Sequence, residues 1–330
     1  MNLRSSDEPP ADADGVARAA RPPFTPPVAL ASLSGRSDAA WARAGLPNAG
    51  AAFLGGIAVD DATREAARAM VDREREEFLP PDPVAFVAAQ LDALADAPLR
   101  PAVNVRSATL PPIRAVARVC AARGAVLEVN AHCRQAEMCA AGAGESLLRD
   151  PDRLAEQVAA AAGAAGDGAG EADNSDGNGE PDGPDAEEPD GPVATTGPTV
   201  SVKLRTELSG VDLPAVARRA VAAGADWLHV DAMDSEPEIA DVVAAASDVD
   251  RDARVIANNG VRDGPTAREY LRYGADAVSV GRASDDPETL ARVRRAVEAW
   301  LDGPAGDGAD TDRDADPDSD RGSLASTTDD

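Results

Sequence analysis

Lysine is nearly missing from this chain: 31 of its 32 basic residues are arginine, and the one lysine is Lys203. Histidine occurs twice, cysteine three times, and aromatic side chains make up 3% of the 330 residues. Each scarcity excludes something. Cys120, Cys133 and Cys139 are odd in number and lack the paired spacing of a zinc site. A disulfide framework is therefore not expected, and a reducing compartment is. With His132 and His229 as the only imidazoles, no H-x-H or H-E-x-x-H spacing exists, so no metal is expected. No run of about 18 apolar residues occurs, which argues against a membrane span. Met1 to Arg21, rich in Asp, Pro and Ala, lacks the apolar centre of a secretory signal, so the expected location is the cytoplasm.

Acidic residues are abundant. Fifty-nine Asp and Glu give a net charge of −27, a surface that repels nucleic acid at low ionic strength. At about 1 M salt the screening length falls to roughly 3 Å, and the charge then serves mainly hydration and solubility. The excess of Asp and Ala over lysine and aromatics reads as adaptation to a high-salt cytoplasm, a halophilic signature.

At 330 residues and 43% hydrophobic composition the chain can build a sizeable core. Residues from about 163 to 198 are almost purely Gly, Asp, Glu, Pro and Ala, and residues 302–330 read the same way. Such stretches bury too little to fold and are expected to be disordered, as is the segment 1–25. Between them, residues 26–301 alternate eight short β-branched runs with Ala-rich helical stretches. The runs are Val28 to Ser32, Ala51 to Ile57, Ala102 to Ser107, Ala125 to Ala131, Val200 to Arg205, Trp227 to Ala232, Arg254 to Asn259 and Ala277 to Gly281. Helical stretches include Asp60 to Arg75, Pro111 to Arg123, Asp152 to Ala162, Leu213 to Ala223 and Pro265 to Tyr273, and Gly124, Gly224 and Gly274 sit where left-handed helix stops belong. The pattern predicts a (β/α)8 TIM barrel with the acidic insertion between strands four and five. An open doubly wound sheet is the weaker alternative, because no G-x-G-x-x-G follows the first strand.

In such a barrel the active site forms at the carboxyl ends of the strands. The polar residues closing the runs are Asn104 and Arg106 on strand three; Glu128, Asn130, His132 and Cys133 on and after strand four; Lys203 and Arg205 on strand five; His229 and Asp231 on strand six; Asn258 and Asn259 on strand seven; and Gly281 with Arg282 after strand eight. Both histidines and the only lysine are among them. Asn258-Asn259-Gly260 and Gly281-Arg282 bring backbone N–H groups and a guanidinium to the loops where barrels hold a phosphate.

These residues resemble a known family. Glu128-Val-Asn130-Ala-His132-Cys133, followed by Gly142-Ala-Gly144 and Leu147-Leu148-Arg-Asp150-Pro151, is similar to the N-x-G-C-P … G-x-G-x-x-L-L-x-D-P signature of the tRNA-dihydrouridine synthases, which are FMN-dependent barrels. Val-Ser-Val-Lys203-Leu-Arg205 resembles that family's V-K-x-R strand, and Asn104 falls where the family has a flavin-contacting Gln. The likeness spans roughly residues 27 to 300. Departures are specific: Gly-Cys-Pro is here His132-Cys133-Arg134, the flavin-contacting His of strand six falls at Asp231 with His229 two residues earlier, and P-M-A-G is loosely met by Leu30-Ala31-Ser32. Where the family carries a helical tRNA-binding domain, the residues after Trp300 read as an acidic tail, so such a domain is not expected in this stretch. The resemblance, with these departures, implies a divergent archaeal-type branch of the FMN-binding barrels, related also to dihydroorotate dehydrogenases.

The resemblance implies an FMN-dependent oxidoreductase with NAD(P)H as electron donor, acting on a C=C bond of a uracil-type substrate in tRNA or in a small pyrimidine. It implies Cys133 as general acid and Lys203 as the cation beside the flavin ring. Asn104, Asn130, Lys203, His229, Asp231, Asn258, Asn259, Gly260, Gly281 and Arg282 are the implied cofactor residues. Three alternatives stand beside it: a dihydroorotate-dehydrogenase-like flavoenzyme, a Schiff-base aldolase through Lys203, and a non-catalytic flavin- or phosphate-binding barrel.

Overall fold

The computed structural model describes residues 20–164 and 197–303. The segment 1–19, most of the acidic insertion (165–196) and the tail from 304 lie outside the described residues. The first eleven elements in chain order are β1 (Val28–Leu30), α1 (Ala39–Ala44), β2 (Ala51–Ala58), α2 (Asp61–Val71), α3 (Pro83–Asp92), β3 (Arg100–Arg106), α4 (Leu110–Ala121), β4 (Val126–Asn130), α5 (Ala136–Ala140), a 3-10 turn (Gly144–Leu148) and α6 (Pro151–Ala162). After the insertion come β5 (Thr199–Arg205), α7 (Leu213–Ala222), β6 (Trp227–Asp231), α8 (Glu238–Val249), β7 (Arg254–Asn258), α9 (Gly264–Arg272), β8 (Ala277–Val280), a second 3-10 turn (Arg282–Asp285) and α10 (Pro287–Asp302). The eight strands pair in parallel, each with its sequence neighbours, and β1 closes on β8. This is the expected (β/α)8 barrel.

Helix starts follow one recurring device. Asp82, Asp150, Asp212, Asp263 and Asp286 each accept a backbone N–H of the first turn, and each is followed within two residues by Pro. The carboxylate satisfies an orphan donor and faces the positive helix end, while Pro has no N–H to lose there. Helix stops at Gly124, Gly224 and Gly274 have φ of 62°, 106° and 90°, the left-handed conformation that their sequence positions require.

Each strand divides its side chains by the period of two. One set, including Leu54, Val103, Val105, Leu127, Val129, Val202, Leu204, Leu228, Val230 and Val278, packs with the helices in the large core. The other set faces the barrel axis. Its amino-terminal half is apolar: Ala29, Ala51, Phe53, Ala102, Val126, Trp227, Ile256 and Ala277 form one cluster with Phe24 from the segment before β1, small residues making room for three aromatic rings. Further along, strands β3 to β8 carry on the same face Asn104, Glu128, Ser201, His229, Asn258 and Ser279, all buried. The barrel is thus sealed at one end and polar inside toward the other.

The structure shifts several boundaries. Phe24 falls in the segment 1–25 expected to be disordered, yet it is buried against Trp227 with ring centroids 5.8 Å apart. The apolar floor of the barrel needs a cover, and this ring supplies it. The stretch read as one helix from Asp60 to Arg75 ends at Val71, because Arg73 to Glu77 have no apolar face to bury. α3, which the sequence pattern did not single out, follows before β3.

Candidate active site

Register alone brings the polar interior residues side by side. Asn104 is level with Glu128, Glu128 with Ser201, Asn130 with Lys203, Lys203 with His229, and Asn258 with Ser279. Their side chains form one continuous hydrogen-bond network. Lys203 Nζ lies 2.7 Å from His229 Nε2 and donates to Asn258 Oδ1 at 3.0 Å. His229 Nδ1 is 2.8 Å from Glu128 Oε2, and Nε2 is 2.7 Å from Ser279 Oγ. Glu128 also accepts from Ser201 Oγ at 3.0 Å and from Asn104 Nδ2 at 2.7 Å. Asn104 Oδ1 accepts from Asn130 Nδ2 at 2.8 Å, and Asn130 Oδ1 accepts the Cys133 N–H at 3.0 Å. Phe53 covers the imidazole of His229 from below, at 4.4 Å between ring centres.

Charges this deep exist only when paired and hydrogen-bonded. Lys203 is 2% exposed, and Glu128 and His229 are fully buried. Burial lowers the Lys203 ammonium from its ordinary 10.5 to about 8, with the charges of Glu128 and Asp231 limiting the fall. Burial also works against the Glu128 carboxylate, but the imidazole beside it, the Lys203 charge and the Asn104 hydrogen bond outweigh that and hold it below the usual range. His229 is held low by burial and by the neighbouring ammonium, against the pull of Glu128. The three therefore stand as carboxylate, neutral imidazole and ammonium around neutrality.

Cys133 joins this network through its backbone. The loop after β4 is pinned by Glu145 N–H donating to Cys133 O at 2.9 Å, and a Cβ on Gly144 would stand 2.2 Å from that oxygen. Gly144 has φ +63° and Gly142 has φ +81°. The G-x-G spacing thus serves to hold the cysteine turn. The Cys133 side chain is half-buried against the small cluster of Ala58, Met70 and Met138. His132, half-buried, has its Nδ1 enclosed without a hydrogen-bond partner among the described residues. Burial and the charges of Lys203, Arg106 and Arg205 keep it far below the ordinary histidine range, so it is neutral.

At the ends of β7 and β8 the backbone is open. Asn259 and Gly260 have φ of 97° and 65°, and Asn259 Nδ2 donates to Met233 O at 2.7 Å. A Cβ added at Gly281 would meet nothing within 4 Å, and at Gly260 only Arg262 at 4.0 Å. Arg282 is exposed and has no ion-pair partner among the described residues. Unencumbered glycine backbone beside an unpaired guanidinium fits a phosphate, and an ammonium with one N–H to spare fits the electron-rich edge of a flavin ring. The residues present fit FMN.

Asn104, Asn130, Lys203, His229 and Asn258 are therefore brought into one network, and Cys133 is tied to it. Asp231 stands at the end of β6, where its Oδ1 accepts the Met233 N–H at 3.3 Å and no other hydrogen bond among the described residues. Asn259, Gly260, Gly281 and Arg282 form a separate group outside the network. Sequence reasoning did not assign roles to Ser201 and Ser279, although the alternation Ser201, Lys203, Arg205 carried that signal. It also missed two ion pairs at the barrel mouth, Arg106 with Glu77 at 2.7 Å and Arg205 with Glu145 at 2.9 Å. Glu77 and Glu145 lie in loops, where no periodicity marks them. Arg106 also donates to Ser34 from the loop after β1. Among the described residues no cluster of His, Cys, Asp and Glu is arranged to hold a metal, and no helix is long and apolar enough to cross a membrane.

No protein-family model matches the chain, and no curated protein matches it. Solved structures do. A FabK mutant from Thermotoga maritima is similar at TM-score 0.45 and 13% identity, over 79% of this chain and 62% of that one, so this chain spans less than two thirds of its length. A mandelate oxidase mutant is similar at TM-score 0.46 and 16% identity, over 82% of this chain and 74% of that one. A DHODH from Eimeria tenella, in complex with ferulenol, is similar at TM-score 0.55 and 16% identity, over 82% of this chain and 80% of that one. At this identity the likeness is one of architecture, and the chain shares its barrel fold with that DHODH.

Proposed function

We propose that the chain is an FMN-dependent oxidoreductase acting on a CH–CH bond of a uracil-type ring, of the tRNA-dihydrouridine synthase kind, with NAD(P)H as electron donor. The observation that carries this reading is the single lysine: an ammonium buried at the centre of a neutral network, two of its three N–H groups satisfied by protein and one left over. FMN held there would supply the redox chemistry, hydride delivery to one carbon of the double bond.

The chain's own residues supply the rest. Lys203 sets a fixed positive charge where the ring gains electron density, and preorganised charge in a dry site is worth more than the same charge in water. Gly260, Gly281 and Arg282, with Asn259 shaping the turn, hold the phosphate. Asn104 and Asn130 hold the turn that carries Cys133. The Cys133 thiol gives a proton to the second carbon and regains it from solvent, so no net charge is left on the protein. The fold shared with a DHODH supports this reading without distinguishing a pyrimidine in tRNA from a free one.

The test is turnover. FMN-loaded protein in high salt with NAD(P)H is expected to convert uridine to dihydrouridine in tRNA or to reduce a free pyrimidine, and the two substrates assayed side by side identify which. Flavin binding without oxidation of NAD(P)H in the presence of either would leave a binding barrel. One observation favours a second chemistry: an amine lowered to about 8 is a usable nucleophile. Borohydride trapping of an aldehyde or ketone phosphate at Lys203 would establish the aldolase and displace the flavin reading.

A further inference from the structure

A lysine side chain is flexible, so burial alone does not decide where its three N–H vectors point. At Lys203 two of them are taken by His229 Nε2 at 2.7 Å and Asn258 Oδ1 at 3.0 Å. Asn258 is itself oriented by donating from Nδ2 to Ser279 O at 3.1 Å. His229 accepts at Nε2 only when the ring proton is on Nδ1, and the atom facing Nδ1 is Glu128 Oε2 at 2.8 Å. An ionised carboxylate accepts and does not donate, so it demands that proton. Both neighbours of Nε2, the ammonium and the Ser279 hydroxyl, are able to donate to it. Glu128 in turn is held in place by Ser201 and Asn104 from the strands on either side.

We propose that Glu128 is a positioning residue: by holding the Nδ1–H tautomer of His229 it aims the Lys203 ammonium, so that the third N–H is kept for the ligand at the barrel mouth. The identity of that ligand rests on the flavin reading. The tautomer and the direction of the amine do not. The charged and titratable groups that act on Lys203 or feel its charge are Glu128 on β4, His132 after it, and His229 with Asp231 on β6, while Arg106 on β3 and Arg205 on β5 act on His132. Of these, Glu128 and Asp231 favour the charged amine, and only Glu128 reaches it through a hydrogen-bonded partner.

The chain offers a direct readout, because protein grown with lysine labelled at Cε and Nζ gives one lysine NMR signal and labelled histidine gives two imidazoles. In wild-type protein without flavin, in high salt near pH 7, the nitrogen shifts of His229 should be those of a neutral ring protonated at Nδ1. A ring protonated at Nε2 overturns the proposal, and this holds even if no variant folds. In Glu128→Gln the Lys203 midpoint should fall by roughly one unit or more, and the single tautomer should be lost. Glu128→Asp, which keeps the charge, should restore part of the midpoint. An unchanged midpoint and tautomer in Glu128→Gln overturn the assignment. Flavin affinity separates the two claims: with the Nδ1–H tautomer present and no FMN bound, the flavin reading fails and this one stands; with FMN bound and the opposite tautomer, the reverse holds.

Discussion

Lys203, Glu128 and His229 place one positive and one negative charge inside the barrel with an imidazole between them, and their titrations pull stability in defined directions. The Lys203 pKa is about 8 in the folded chain against an ordinary 10.5, so between those values the unfolded state binds a proton that the folded state does not. Stability therefore rises with pH across that window, by roughly 3 kcal/mol in total. The buried Cys120 thiol, pushed from 9.0 to about 12, acts in the opposite sense above pH 9. His132 and His229 are both held below 6.5, so the stability that rests on their neutral forms is present above pH 6.5 and lost as pH falls below it. Urea unfolding at constant high salt should show a gain between pH 8 and 9 that Lys203→Met lacks, and a decline on the acid side of 6.5. A wild-type profile flat from pH 8 to 9 would contradict the buried amine. At the chemical step, Cys133→Ala should keep flavin binding and slow substrate reduction by about 100-fold or more, the usual span for a general acid. An unchanged rate would remove Cys133 from that role. Lys203 was legible because it is unique. Glu128 was legible as a polar residue closing strand four but not in its role, since its partner His229 lies 101 positions away in the chain and only the fold brings the two together.

The strands were readable as elements because most are short β-branched runs with a polar residue near the end, whereas the Asp with Pro that opens five of the helices went unread. α3 and the short α1 and α5 were less legible: α3 has weak amphipathic contrast, and α1 and α5 have six and five residues. The loop after β4 shows how one glycine differs from another. Gly144 has φ +63° and a Cβ there would stand 2.2 Å from Cys133 O, whereas Gly124 has φ +62° and a Cβ there would meet nothing within 4 Å. Gly124→Ala should cost only the left-handed backbone penalty, about 1 kcal/mol. Gly144→Ala adds a clash with backbone and should cost about 3 kcal/mol or more, while changing the rate at which a thiol reagent modifies Cys133. Denaturant melts of the two variants check this, and equal losses would show that the Gly144 contact relaxes freely.

The whole molecule is a closed barrel whose interior is apolar at one end and polar at the other, inside a chain of net charge −27. Alternation along eight strands made that architecture legible. The acidic stretches that separate the expected parts lie mostly outside the described residues. Self-repulsion of the surface should make stability depend on salt, because the screening length grows from about 3 Å at 1 M to about 10 Å at 0.1 M. The melting temperature is therefore expected to fall steadily over that range, and a salt-independent value would refute the high-salt reading. The account as a whole depends on the polar end of the barrel receiving a flavin around Lys203. Titrating FMN into the wild-type protein and into Lys203→Met in high salt, followed by flavin fluorescence and the visible spectrum, tests it most directly. One flavin per chain with a perturbed spectrum, and affinity about tenfold or more weaker in Lys203→Met, is the predicted result; a wild-type protein that leaves free FMN unchanged would contradict it.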